Sequence, residues 1–360
     1  MTICNTQPVT WEDWLTDLDD EPLVKESLQP QYYDNILQTI GETPLVRLRN
    51  VVPENIQGMI LAKVESMNPG GSIKDRVAFN MIETAERKGL LKPGGTIIEA
   101  TSGNTGIGLA TVAATKGYKA ILVMPDRMSP EKVNYLRALG AEVILAPSVG
   151  PEDPRNNVNV AARLAAETPN SFWTNQYKNT ANPTAHYVST GPEIWRQTAG
   201  QVKVLVCGMG TGGTISGTGK FLKEQNPDIK VVGVDVRGSL IKESWEAGHQ
   251  VGNDEYEKGK FMVEGIGKYF IPDTMNLSVV DEIVRLEDKD CFMMARDIAH
   301  TEGIFAGGSS GGAVAGAIRS KYVQALKPGE IAVVILPDSG NRYVSRIYND
   351  DWMRENGYMD

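Results

Sequence analysis

Cysteine and histidine are scarce: three of each in 360 residues. Cys4, Cys207 and Cys291 are far apart and odd in number, which argues against a disulfide framework and a Cys-x-x-Cys metal site. His186, His249 and His300 have no ligand spacing, so metal catalysis and a histidine-based triad are both poorly supported. No apolar run approaches the roughly 20 residues that span a bilayer. The N-terminus lacks the basic-then-apolar order of a signal peptide. A net charge of −9 argues against a nucleic-acid partner. Internal repeats and low-complexity tracts are absent. What is present is ordinary for a globular chain with a large core: 41% hydrophobic and 22% charged residues. The length points to about two domains. The starting class is a cytoplasmic, metal-free enzyme.

Strand and helix patterns alternate along the chain. Met59–Val64, Thr96–Ala100, Lys119–Met124, Glu142–Ala146, Val202–Cys207, Ile229–Asp235 and Ile331–Leu336 read as strands. Helical spacing follows most of them, including one helix running from the Gly307–Gly312 turn to about Leu326. That order predicts an α/β fold of mainly parallel sheets covered by helices on both faces. Residues 1–35 read as an acidic arm with Trp11, Trp14 and Leu15 as its anchors. Residues 238–280 lack periodicity and contain Glu264–Gly267, a candidate active-site loop.

Chemistry concentrates at strand-to-helix turns. Asn68 to Arg76 is glycine-rich and delivers Lys74 to a helix start. A cation is disfavoured at the positive end of a helix dipole, so this amine should lose its proton easily, as a Schiff-base lysine must. Taken alone, a loop lysine is more often simply solvated. Thr101, Ser102, Gly103, Asn104, Thr105 and Gly106 form a second turn, with hydroxyls and N–H groups suited to a small carboxylate. A helix cap by Thr101 or Ser102 is the plainer explanation, but six polar or glycine residues exceed what one cap needs. Gly208 to Gly213 matches G-x-G-x-x-G, and Asp235 follows at the end of the next strand, as in a dinucleotide site. The same loop serves equally as a phosphate cradle built from Gly210, Thr211, Gly212, Gly213 and Thr214. The fourth turn, Gly307–Gly312, places Ser309 and Ser310 at a helix start, where capping is again the simple reading.

A Schiff-base lysine, a carboxylate seat, a phosphate cradle and a lone hydroxyl describe a pyridoxal phosphate site. From Ile40 to Tyr358 the chain resembles the tryptophan-synthase-β type of pyridoxal phosphate enzymes, fold type II. Within that type it is similar to the cystathionine β-synthase and cysteine synthase family. The motifs are Pro69–Arg76, Thr101–Gly106, Gly210–Thr214 and Gly307–Ser309. The resemblance implies that Lys74 holds pyridoxal 5'-phosphate, Asn104 meets its ring hydroxyl, Gly210–Thr214 hold its phosphate and Ser309 faces its pyridine nitrogen. Thr101, Ser102 and Thr105, with Gln176, would take the substrate carboxylate. It also implies a larger cofactor domain from residues 36–95 and 191–360, a smaller mobile domain from residues 96–190, and a homodimer. The reaction it implies is β-replacement on an amino acid through an aminoacrylate.

Two family activities fit: cystathionine formation from serine and homocysteine, and cysteine synthesis from O-acetylserine and sulfide. Tyr177 stands where cysteine synthases resemble one another in having phenylalanine, and Glu264 where they usually have glutamine. Both favour the first activity, with hydrogen sulfide production as a side activity. Loop packing and surface charge explain the two residues about as well. The arm has no segment resembling a haem site, and the chain ends at Asp360, so neither haem nor the family's paired regulatory module is expected. A dehydrogenase, resting on Gly208–Gly213 and Asp235, and a non-catalytic docking protein are the rivals from other classes. A yellow colour that bleaches with borohydride separates the first, and turnover of serine with homocysteine the second.

Overall fold

Val202–Gly208 and Ile331–Leu336 are apolar at nearly every position, the pattern of strands buried on both faces. They form the middle of a six-stranded sheet. The computed structural model describes residues 32–360 except 102, 127, 129 and 253–258; of residues 130 and 131 only the backbone is described. The arm expected over residues 1–35 therefore lies, as far as residue 31, outside the described residues, and so does Ser102.

The strands are β1 (Leu45–Leu48), β2 (Met59–Val64), β3 (Thr96–Ala100), β4 (Lys119–Pro125), β5 (Glu142–Ala146), β6 (Ser171–Trp173), β7 (Val202–Gly208), β8 (Lys230–Val236), β9 (Glu282–Leu286) and β10 (Ile331–Leu336). The helices are α1 (Lys74–Arg87), α2 (Asn104–Lys116), α3 (Pro130–Ala138), α4 (Asn157–Glu167), α5 (Ala181–Ala185), α6 (Gly191–Gln197), α7 (Gly213–Gln225), α8 (Ile241–Ala247), α9 (Asp288–Glu302), α10 (Gly308–Arg319), α11 (Lys321–Gln324) and α12 (Asp350–Glu355). One sheet runs β1-β2-β10-β7-β8-β9, and only β1 is antiparallel to its neighbour. The other runs β5-β4-β3-β6, all parallel. The chain leaves the first sheet after β2, builds the second over residues 96–173, and returns at β7. Residues 35–360 gather into one compact unit.

Alternate residues of each central strand feed opposite cores. Val204, Val206, Val232 and Val234 pack with Ala295, Ile298 and Val314 of α9 and α10. Leu205, Cys207, Val231 and Ile335 pack with Ile215 and Leu222 of α7. Each such buried aliphatic side chain contributes about 1.5–3 kcal/mol. A third core joins Val77, Met81 and Ile82 of α1 to Leu109 and Val112 of α2 and Leu122 of β4. That packing is close because Gly108 lacks a side chain. A Cβ there would lie 2.9 Å from the Ala78 Cβ and 3.0 Å from the Lys74 carbonyl oxygen. The start of α2 is thus set against the turn that carries Lys74.

The single helix expected from Gly307 to Leu326 is two. Ser320 is extended and its hydroxyl accepts from the N–H groups of Tyr322 and Val323, ending α10 and capping α11.

Candidate active site

The turn before Lys74 is held by its own polar residues. The Asp75 carboxylate accepts the Gly70 N–H at 2.6 Å, and the Ile73 N–H donates to the Pro337 carbonyl at 2.9 Å, just past β10. Arg76 is buried and paired with Glu65 and Glu193. These ties fix the first turn of α1, so Lys74 lines a cavity of about 550 Å³ at the carboxyl ends of the strands. Its amine makes no hydrogen bond to any described residue. Burial, reinforced by the nearby Lys268 cation and opposed by Asp338, lowers it to about 8. The sequence pointed to the helix dipole; burial is the larger cause.

Four helices begin at this cavity: α1, α2, α7 and α10. None is capped by the side chain of its own N-cap residue, Ile73, Gly103, Gly212 and Gly307, though Ser72 accepts the Lys74 N–H at 3.2 Å and Thr211 the Gly213 N–H at 3.4 Å. Thr101 does not cap α2: its hydroxyl accepts the Gly103 N–H, inside the loop. Ser309 and Ser310 lie within the first turn of α10. Unpaired N–H groups at several helix starts favour an anion.

Thr101, Asn104, Thr105, Gln176, Tyr177, Gly210, Thr211, Gly212, Thr214, Glu264 and Ser309 all line the same cavity as Lys74. Gly213 stands behind it, where an added Cβ would strike the Asn182 side chain. A Cβ on Gly210 would run into the Gly265 carbonyl oxygen. The Gly210–Thr214 turn therefore presents main-chain groups at close range, as a phosphate cradle requires. Thr214 is 3.3 Å from Nε2 of the buried His186, whose basicity burial lowers, so that ring stays neutral. Asn182 donates to the Gln176 carbonyl at 2.8 Å and to the Thr211 hydroxyl at 3.2 Å, joining the Gly210–Thr214 turn to the segment that carries Gln176. The Ser309 hydroxyl makes no hydrogen bond to a described residue. Asn104 donates to Asp338 at 2.7 Å, and its oxygen accepts from Arg342.

Asp235 has a different place. It is buried, accepts the Lys242 N–H at 3.1 Å and pairs with Arg285 at 3.3 Å, and it does not line the cavity. A ribose-binding role for it loses its basis.

Several lining residues carried no motif. Lys132 pairs with Glu264 at 2.7 Å on the cavity wall, and Arg346 reaches the same carboxylate at 3.2 Å. Lys268 lies over the Tyr177 ring at 5.1 Å. Asp338 accepts from the Tyr343 hydroxyl at 2.7 Å, and burial raises its carboxyl. A charged residue inside an apolar stretch was the one signal in the sequence for such groups. Among the described residues no cluster of three or more His, Cys, Asp or Glu could hold a metal. No helix among them is long and apolar enough to cross a membrane.

A close glycine cradle, uncapped helix starts and a partnerless lysine at one cavity fit a phosphate-bearing aldehyde held by an amine. That defines the class, an α/β enzyme with a cavity suited to a phosphate-bearing cofactor. The chain belongs to the pyridoxal-phosphate dependent enzyme family, whose pattern matches residues 36–338, and its cofactor is pyridoxal 5'-phosphate. It is 48% identical over 332 residues to cystathionine beta-synthase of Rattus norvegicus, covering 92% of this chain and 58% of that protein. The chain thus spans somewhat over half the length of that relative. It is 44% identical over 313 residues to a cysteine synthase of Staphylococcus aureus, covering 87% of this chain and 96% of that one. Among solved structures it is similar to O-ureido-L-serine synthase, with a TM-score of 0.79, 36% identity and coverage of 90% and 100%. It is also similar to a hydrogen sulfide-producing enzyme of Fusobacterium nucleatum, with a TM-score of 0.78, 38% identity and coverage of 87% and 98%.

Proposed function

We propose that the protein condenses serine with homocysteine to give cystathionine and water. The observation that carries this reading is the Glu264 carboxylate on the cavity wall, held by Lys132 and Arg346. It offers a fixed acceptor to the amino group of a thiol amino acid, which inorganic sulfide has no means to use. The 44% identity to a cysteine synthase supports a second reading, O-acetylserine with sulfide. Release of hydrogen sulfide from cysteine is a side activity open to either.

In this reading Lys74 holds the cofactor. Gly210, Thr211, Gly212, Gly213 and Thr214 hold its phosphate. Asn104 has one amide N–H left, beyond its bond to Asp338, for the ring hydroxyl. Ser309 donates its free hydroxyl to the ring nitrogen without protonating it. When bound, the cofactor draws electrons from the amino acid's α-carbon. Thr101 and Gln176 would orient the amino acid by its carboxylate, against the N–H groups at the start of α2, with Thr105 holding the Gln176 amide in place. The Lys74 Nζ would take the α-proton and return a proton to the departing β-hydroxyl, which leaves as water. A low basicity, near 8, suits it to both transfers. Tyr177, packed against Phe270 and beneath Lys268, borders the space for the second substrate. We place a smaller mobile half over residues 96–190, closing on the larger half of residues 36–95 and 191–360, in a cytoplasmic homodimer.

A competition assay tests the reading: kcat/KM for serine against O-acetylserine, each with homocysteine and with sulfide. Serine with homocysteine should be the most efficient pair. A clear preference for O-acetylserine with sulfide would sink it, and a Tyr177→Phe variant with unchanged preference would remove Tyr177 from the account.

A further inference from the structure

Behind the wall that presents Thr105 and Gln176 to the cavity lies a carboxyl group to which the proposed chemistry gives no part. Glu99, on β3, is 1% exposed, and all five residues of that strand are buried. Its Oε2 accepts from the Thr174 hydroxyl, and its Oε1 accepts the Gln176 Nε2–H at 3.3 Å. The N–H groups of Asn175 and Gln176 also reach it. It has no ion pair with a described residue, and burial pushes its carboxyl up to about 7. A buried acid without a cation is costly. An apolar side chain would fill the position without that cost, so the hydrogen bonds are what the acid contributes.

Those bonds have a direction. A carboxylate only accepts, and an amide has one donating and one accepting end. Whether Glu99 is ionised or carries a proton on Oε2 toward Thr174, its Oε1 remains an acceptor and faces the nitrogen of Gln176. The Gln176 oxygen is turned to Thr105, whose hydroxyl donates to it at 2.8 Å. A hydroxyl has one proton. That proton is committed to Gln176, and Thr105 faces the cavity with lone pairs alone. Among the described residues the donors left for a carboxylate are the second Nε2–H of Gln176, the Thr101 hydroxyl and the uncapped N–H groups of α2.

We propose that Glu99 is a positioning residue for the amino-acid carboxylate seat, fixing the Gln176 amide and through it the Thr105 hydroxyl. The inference rests on the proposed amino-acid site. Without an acceptor at position 99 the Gln176 amide is free to turn its oxygen toward the incoming carboxylate, acceptor against acceptor. The substitution Glu99→Gln keeps the arrangement: the new amide oxygen can face Gln176 while the new NH2 group turns to Thr174.

The test titrates the cofactor-loaded enzyme with serine and with serinamide, which lacks the carboxylate, and follows the cofactor's visible absorption. Glu99→Met should weaken serine binding about tenfold or more, with serinamide binding and cofactor content unchanged. Glu99→Gln should restore serine binding to within about threefold of the wild type. In a Gln176→Ala background, Glu99→Met should have no additional effect. Should Glu99→Met not fold, Glu99→Asp withdraws the carboxyl by one methylene and should produce the same selective loss. Equal losses for serine and serinamide, an unaffected serine affinity, or additive effects in the Gln176→Ala background would each overturn the proposal. If the loaded wild type responds to neither serine nor O-acetylserine, the amino-acid site itself is refuted and this inference with it.

Discussion

Lys63 on β2 is fully buried and Lys74 at the start of α1 is half-buried, and the two lysines are held in opposite ways. The Lys63 ammonium donates to the Thr43 carbonyl at 2.6 Å, to Glu193 at 2.7 Å and to Gln197 at 2.9 Å. All three of its N–H groups are used. Around it Arg76, Glu65 and Glu193 complete a set of two cations and two anions. The Lys74 amine has no such partners among the described residues. Burial lowers both lysines, but at Lys63 the neighbouring Glu193 works against it, while at Lys74 Lys268 adds to it and only Asp338 opposes. Burial alone does not make a nucleophile; burial without hydrogen-bonding partners does.

The comparison is sharpest if the two lysines fail differently. Lys74→Ala should cut kcat by about 10³-fold or more and abolish the covalently bound visible chromophore, with the thermal midpoint nearly unchanged. Lys63→Met should do the reverse. Removing one partner of a buried ion cluster costs about 3–5 kcal/mol, read as a large drop in the denaturant midpoint. The reactive amine at position 74 should still bind cofactor. If Lys63→Met leaves stability intact, the ion cluster is not what distinguishes the two sites. Acid titration tests the same cluster. Burial works against the Glu193 carboxylate, yet Arg76 and Lys63 bring it down to about 2. Its folded pKa lies below its unfolded one, so this stabilisation is present above about pH 4.5 and disappears as the pH falls toward 2. Unfolding free energy measured across that window should fall less steeply in Lys63→Met, because Glu193 then keeps only Arg76.

The glycine turns, and the lysine they position, could be read from the sequence because each is local: a strand, a run of glycines and a helix within about 20 residues. The partners that set the lysine's chemistry could not. Lys268 and Asp338 come from distant segments and sit in no repeating pattern. Ser171–Trp173 is too short for periodicity to register as a strand, and Glu282–Leu286 mixes two charged residues into its five. Asp235 is the opposite case. Its spacing from the G-x-G-x-x-G turn matched a dinucleotide site, but tertiary packing gives it to Arg285 and the start of α8. The extended helix after Gly307 failed for a local reason, since Ser320 competes for backbone N–H groups as a new cap. Glu99 was legible in part. A glutamate in a strand otherwise made of threonine, isoleucine and alanine is a conspicuous misfit, but its partners are more than 70 residues away.

Smaller effects refine the contrast. With cofactor removed, the Lys74 amine must be neutral to attack the aldehyde. Because its pKa lies near 8 and not near 10.5, the rate of cofactor uptake should climb between about pH 7 and 9 and then level off. Stopped-flow absorbance across that range reads it, and a rate still rising at pH 10 would mean that Lys74 behaves as a solvated lysine. The least change of all should come from Lys268→Met. Burial is the larger cause of the low basicity and Lys268 the lesser one. Deleting the second cation should therefore move the midpoint of uptake upward by less than about one pH unit. The direction matters more than the size. An upward shift means that two positive groups share one water-poor cavity and lower each other's affinity for protons. No shift would assign the reactivity of Lys74 to burial alone and leave Lys268 as a cation resting on the Tyr177 ring.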